Sequence, residues 1–63
     1  MCLANAYIDA GGERELLLED VSRVEIKGKR VRVETLFGEA REVEAGITEI
    51  DFQSGSIVLE GLG

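Results

Sequence analysis

The feature that most constrains this chain is an alternation of period two, repeated between glycine turns. Val31, Val33 and Thr35 alternate with Arg30, Arg32 and Glu34, and just upstream Val24 and Ile26 alternate with Arg23, Glu25 and Lys27. Successive side chains of a strand point to opposite faces, so each run predicts a half-buried strand with one apolar and one charged face. Gly28-Lys29 separates the two runs, and a glycine free to take positive φ makes a tight hairpin the natural connection. The C-terminal third repeats the pattern. Ile50 and Phe52 alternate with Glu49, Asp51 and Gln53, Ser54-Gly55 supplies a turn, and Ile57, Val58 and Leu59 return.

The rest of the chain reads less regularly. Residues 2–8 predict a strand, with Gly11-Gly12 as the turn after it. Residues 39–44 fit a short strand, after which Gly46 redirects the chain. Residues 13–22 fit two descriptions. Leu17, Val21 and Val24 lie on a helical stripe rich in good helix formers, whereas the density of strands and glycine turns around them favours two strands meeting near Glu19-Asp20. Six or seven strands in so short a chain predict an all-β fold, a six- to seven-stranded β-barrel of SH3-like size in one domain over residues 1–63, because closure removes exposed sheet edges.

Size then predicts a partner. A chain of 63 residues buries only about 60% of the surface its unfolded form exposes, and small folds commonly make up the shortfall with disulfides, metals or a second subunit. There is one cysteine, so an internal disulfide is excluded. Oligomerisation as a homodimer, a metal, or both are the remaining routes.

Composition excludes several classes of function. No apolar run reaches the roughly 20 residues of a membrane span, and nothing resembles a signal peptide, which predicts a cytoplasmic protein whose Cys2 stays a thiol. A net charge of −6 works against binding a phosphate backbone. The one basic cluster, Lys27, Lys29, Arg30 and Arg32, sits around a turn and reads as solvated strand charge. Without histidine the chain has no ordinary general base, and no nucleophile–base pair is evident. Gly11-Gly12 is a lone pair in an acidic context, a turn rather than a phosphate loop. The 13 carboxylates alternate with apolar residues, as on a solvated sheet face, so the chain does not read as an enzyme.

Cys2 is the residue left with special chemistry, and two readings fit it. It is either a small apolar residue packed at the start of a strand or a metal ligand. The residues alone lean to the first; for the second speak the α-amino and first peptide nitrogens within chelating reach, since thiolate with nitrogen donors suits Ni(II) or Cu(II) in a square plane. A two-fold homodimer would bring two copies of Cys2 to its axis.

The opening Met1-Cys2-Leu3-Ala4-Asn5-Ala6-Tyr7, the later Glu19-Asp20-Val21, the segment Thr35-Leu36-Phe37-Gly38-Glu39 and the ending Ile50-Asp51-Phe52-Gln53-Ser54-Gly55-Ser56-Ile57 together resemble the CooT family. These are very small proteins associated with carbon monoxide dehydrogenase maturation. The resemblance spans nearly the whole chain. It implies a small β-barrel homodimer that binds one Ni(II) between its subunits, with the family's cysteine falling on Cys2. On that reading the ligands are Cys2 of both subunits and nearby backbone nitrogens, those of Met1 and Leu3. The client is a nickel enzyme such as carbon monoxide dehydrogenase. The family has also been labelled predicted RNA-binding, which would place RNA on Lys27, Lys29, Arg30 and Arg32.

Overall fold

The computed structural model describes residues 3–61. Its elements are five strands: β1 (Ala4–Ala10), β2 (Glu13–Lys27), β3 (Arg30–Thr35), β4 (Ala40–Asp51) and β5 (Ser56–Gly61). Each strand pairs with the next, antiparallel, and β5 returns to pair with β1 in parallel, so the sheet closes into a ring. A closed ring leaves no long sheet edge unpaired, which is how a small all-β chain avoids templating its own aggregation.

Five strands replace the expected six or seven, and the reason is local. β2 runs straight through Glu19-Asp20, and β4 runs straight through Gly46. The first part of β2 pairs with β1 and the second with β3; Val21 belongs to both ladders, opposite Ala4 and Thr35. Asp20 carries a φ of 57°, and register slips flank this stretch on both ladders. Extra residues of this kind bend a strand and increase its twist without ending it. β4 divides in the same way, with Ala40 to Glu44 on β3 and Ala45 to Asp51 on β5. What reads in the sequence as a break between two strands is a corner within one. Residues 13–22 are therefore strand, and the helical stripe is not used.

The core follows the alternation where both strand faces are distinct. Val31, Val33 and Thr35 are buried, and they alternate with more exposed Arg30, Arg32 and Glu34. Ala6, Leu18, Val21, Val31, Val33, Ala45, Ile57 and Leu59 form one cluster. Val58 is out of phase with Ile57 and Leu59 yet equally buried, so β5 is covered on both faces.

Thr35, the buried polar residue of this group, organises the turn after β3. Its Oγ1 accepts hydrogen bonds from the backbone N–H groups of Phe37 (3.1 Å) and Glu39 (3.2 Å), and its own N–H donates to the Glu39 carbonyl at 2.9 Å. The turn is thereby braced from within while Leu36 and Phe37 stand in solvent. The sequence pattern for the last hairpin holds in its turn but not in its burial. Ile50 is 48% exposed at the end of β4, and Phe52 lies beyond the strand, 83% exposed.

Candidate functional site

Cys2 and Met1 lie outside the described residues. The described residues that follow them in the chain are Leu3 and the start of β1. The sequence brings three elements to that point: the first residues of β1, the corner of β2, and the turn between β4 and β5. Ala4 pairs with Val21 on one side, and Asn5 pairs with Ser56 on the other. The Asn5 N–H donates to the Gly55 carbonyl at 2.8 Å, and the Asn5 side-chain oxygen accepts from the Asp20 N–H at 3.4 Å.

The β4–β5 turn is itself a built structure. The Asp51 Oδ1 accepts from the N–H groups of Gln53 (2.9 Å) and Ser54 (3.2 Å), while the Asp51 carbonyl accepts from the Gly55 N–H at 2.9 Å. Ser54 and Ser56 share a hydroxyl hydrogen bond of 2.9 Å. Hydrogen bonds from Ser54 and Gln53 favour the charged form of the Asp51 carboxyl and hold its pKa below the usual aspartate value. Gly55 has a φ of 72°, a conformation that glycine adopts at no steric cost. Sequence reasoning treated this stretch as a plain Ser-Gly turn. The signal it missed is Asp51 two and three residues ahead of free N–H groups, the pattern of an Asx turn.

Beside this junction lies an apolar groove of about 280 Å³, walled by Leu3, Ala4, Val24, Ile50, Phe52 and Ile57. Leu3, Ile50 and Phe52 are each at least 40% exposed, so large side chains crowd the mouth of the groove rather than its floor. A contiguous exposed apolar patch on a small protein marks an interaction surface more often than isolated exposed residues do.

The basic cluster has a different character. Arg30 pairs with Glu42 at 3.4 Å, and Arg32 lies 3.5 Å from Glu34 and 3.9 Å from Glu25. Arg23 joins the same network, 3.4 Å from Glu25. Glu25 faces Arg32 and Arg23 faces Glu34 across the β2–β3 ladder, so cross-strand pairs combine with the same-strand pairs Arg23–Glu25 and Arg32–Glu34. The cluster expected around Lys27, Lys29, Arg30 and Arg32 is thus brought together on one hairpin, with its arginines neutralised by carboxylates on the same sheet face.

The Gly11-Gly12 turn is a hairpin with both glycines at positive φ, 60° and 83°. Asp9 and Glu60 stand beside it, and Arg14 is tied to Asp9 at 3.0 Å. That hydrogen bond, with the Asp9 charge, raises the Arg14 pKa. An arginine already paired and flanked by carboxylates suits a solvated turn better than a phosphate cradle. Among the described residues no group of three or more His, Cys, Asp or Glu side chains is placed to hold a metal. No helix among them is long and apolar enough to cross a membrane.

Together these features define a very small all-β ring whose outstanding surface is an apolar groove next to its N-terminal strand, the profile of an interaction module. The chain belongs to the CooT family: residues 1–60 match the family model for the CO dehydrogenase accessory protein CooT. It is 39% identical over 61 residues to an uncharacterized protein of Methanocaldococcus jannaschii, a match covering 97% of this chain and all of that one. An uncharacterized protein of Archaeoglobus fulgidus is 36% identical over 44 residues, covering 70% of this chain and 98% of the relative. The fold is similar to a crystal structure assigned to CooT from Carboxydothermus hydrogenoformans. That likeness has a TM-score of 0.89 at 29% identity, over 98% of this chain and 100% of the other. An accessory role in enzyme maturation, rather than catalysis, is what this family membership supports.

Proposed function

We propose that this protein binds Ni(II) at a homodimer interface through Cys2 and carries it, for delivery or storage, to a nickel enzyme such as carbon monoxide dehydrogenase. The observation that carries the proposal is the apolar groove at Leu3, Ile50 and Phe52, next in the chain to Cys2. Covering that groove with a second copy would bury exposed aromatic and aliphatic surface and place two copies of the N-terminal strand near a two-fold axis, where one cysteine per chain becomes two ligands. The chain contains no histidine, so the remaining donors are backbone nitrogens near Cys2, those of Met1 and Leu3. Thiolate and nitrogen donors together suit planar Ni(II). In a reducing cytoplasm Cys2 stays available as a thiol.

Thiolate ligation releases a proton, so nickel affinity rises with pH up to the thiol's titration range, about 8.5 for an unperturbed cysteine. Intrinsic affinity for Cu(II) exceeds that for Ni(II) at such a site, so nickel loading in the cell follows metal availability. Titration of wild type and Cys2→Ser with Ni(II), with the mass of the assembly read in both, tests the reading. One nickel per dimer is expected for wild type and none for the variant; unchanged binding by Cys2→Ser would overturn it. The RNA-binding alternative would rest on Lys27, Lys29, Arg30 and Arg32, of which Arg30 and Arg32 lie in ion pairs with Glu42 and Glu34.

A further inference from the structure

We infer that the β4–β5 turn is a positioning device for the N-terminal strand, with Gly55 as the residue that sets the strand's height against the ring. The inference rests on the reading of Cys2 as a nickel ligand and concerns how the strand that follows it in the chain is held.

Three observations lead to it. Leu3 and Asn5 both meet Gly55: the Asn5 N–H donates to the Gly55 carbonyl at 2.8 Å, and a Cβ at Gly55 would come within 3.3 Å of the Leu3 carbonyl oxygen. The contact is backbone on backbone, so no flexible side chain can absorb a change there. Second, the turn that presents Gly55 is braced by the Asp51 carboxylate, the Asp51 carbonyl and the Ser54–Ser56 hydroxyl pair, so it acts as a fixed stop. Third, this closeness is peculiar to Gly55. Gly11, Gly12, Gly28 and Gly38 also have positive φ, yet a Cβ at any of them meets nothing within 4 Å. Gly28 supplies the internal control, because alanine there suffers the same kind of backbone strain without touching β1.

Groups that orient metal ligands from outside the coordination shell commonly change metal affinity by about 10- to 100-fold when altered. The test compares Gly55→Ala with Gly28→Ala in the full chain, each confirmed folded by circular dichroism. Two readouts are used: Ni(II) affinity with the absorption spectrum of the nickel complex, and the rate of Cys2 alkylation by iodoacetamide without metal. Gly55→Ala should weaken nickel binding about tenfold or more, alter the spectrum and change the alkylation rate, while Gly28→Ala matches wild type in all three. Equal behaviour of the two variants overturns the inference. Should Gly55→Ala fail to fold, Asp51→Ala against Asp51→Asn reads the same device. Asparagine keeps the accepting oxygen and should restore wild-type values, and failure of that rescue counts against it. If wild type takes up no nickel, the Cys2 reading falls, and the alkylation rates alone decide whether Gly55 positions the strand.

Discussion

The two hairpins legible in the sequence, β2–β3 and β4–β5, share a plan and differ in what they show to solvent. Each turns on a glycine with positive φ, 59° at Gly28 and 72° at Gly55, and each sends its inward residues to one core. The outward face of β2–β3 is a lattice of ion pairs, within and across strands, between Arg23, Arg32, Glu25 and Glu34. The rim of β4–β5 instead carries Ile50 and Phe52, with Leu3 beside them. The first hairpin presents mainly paired charge, although its Val24 also walls the groove and its Ile26 is 64% exposed. The second leaves its apolar rim open, and its turn is pressed against the start of the chain at Leu3.

The comparison presumes that the hairpins are halves of one cooperative unit. Leu59 is fully buried in β5, and replacing it with alanine should cost about 2–5 kcal/mol, a large share of the roughly 5–15 kcal/mol that stabilises an ordinary domain. Urea unfolding followed by circular dichroism and by amide exchange should then show both hairpins opening in one transition at lower urea. Retained protection in β2–β3 would mean that the two are separate units.

A sharper contrast comes from exposed apolar residues, one per hairpin. Phe52→Ser should leave the stability of the single chain within about 0.5 kcal/mol, since the side chain is 83% exposed, yet raise the dissociation constant of the proposed homodimer by about 30-fold or more. Ile26→Ser removes an apolar side chain 64% exposed on the basic hairpin and should leave association unchanged. Sedimentation equilibrium of the three proteins separates the cases. Equal dimerisation would show that the groove is not the contact.

The same two hairpins also show where the sequence was legible. Val31, Val33 and Thr35 read correctly because β3 is bordered by β2 and β4, with one face on the core, and there alternation and burial are the same fact. Alternation predicted burial for Ile50 and Phe52 as well, and failed: β4 ends at Asp51 and leaves Phe52 in the turn, while Ile50, still in the strand and paired with Ile57, lies at the mouth of the open groove. Period reports which side chains share a face, but not whether anything covers that face. Strand count failed at Asp20 and Gly46 for a related reason: a corner and a break share the same turn residues, and only the ladders on either side distinguish them. For the site, the sequence pointed to Cys2 by elimination. Asp51 was legible locally as an Asx turn, whereas Gly55 and Asn5 escaped because their contact joins chain segments some 50 residues apart, Leu3 to Asn5 against Gly55.

The turns themselves offer a smaller contrast. Alanine at Gly28 or Gly55 is forced into the left-handed region and should destabilise by about 1–2 kcal/mol, with Gly55→Ala the worse because of the added approach to the Leu3 carbonyl. Thermal melts should rank them in that order. On the outer face, Arg30→Gln and Arg32→Gln break exposed pairs and should cost under about 1 kcal/mol each, less still at high salt. A larger loss would mean that the basic hairpin is more than a solvated surface.

The smallest effect belongs to Asp51 and has a definite sign. Its carboxyl titrates below the ordinary aspartate range because the Ser54 and Gln53 N–H groups favour the charged form. A group whose pKa is depressed on folding contributes stability that is present above its unfolded pKa and lost as pH falls through the folded value. Wild type should therefore exceed Asp51→Asn slightly in thermal midpoint at neutral pH, since an ionised acceptor makes the stronger hydrogen bond. As the medium is acidified below about pH 4, where free aspartate protonates, the two midpoints should converge. A gap that stayed constant through the acid range would show that the charge on Asp51 does nothing for the turn. The brace under Gly55 would then rest on the Asp51 carbonyl and the serine hydroxyls instead.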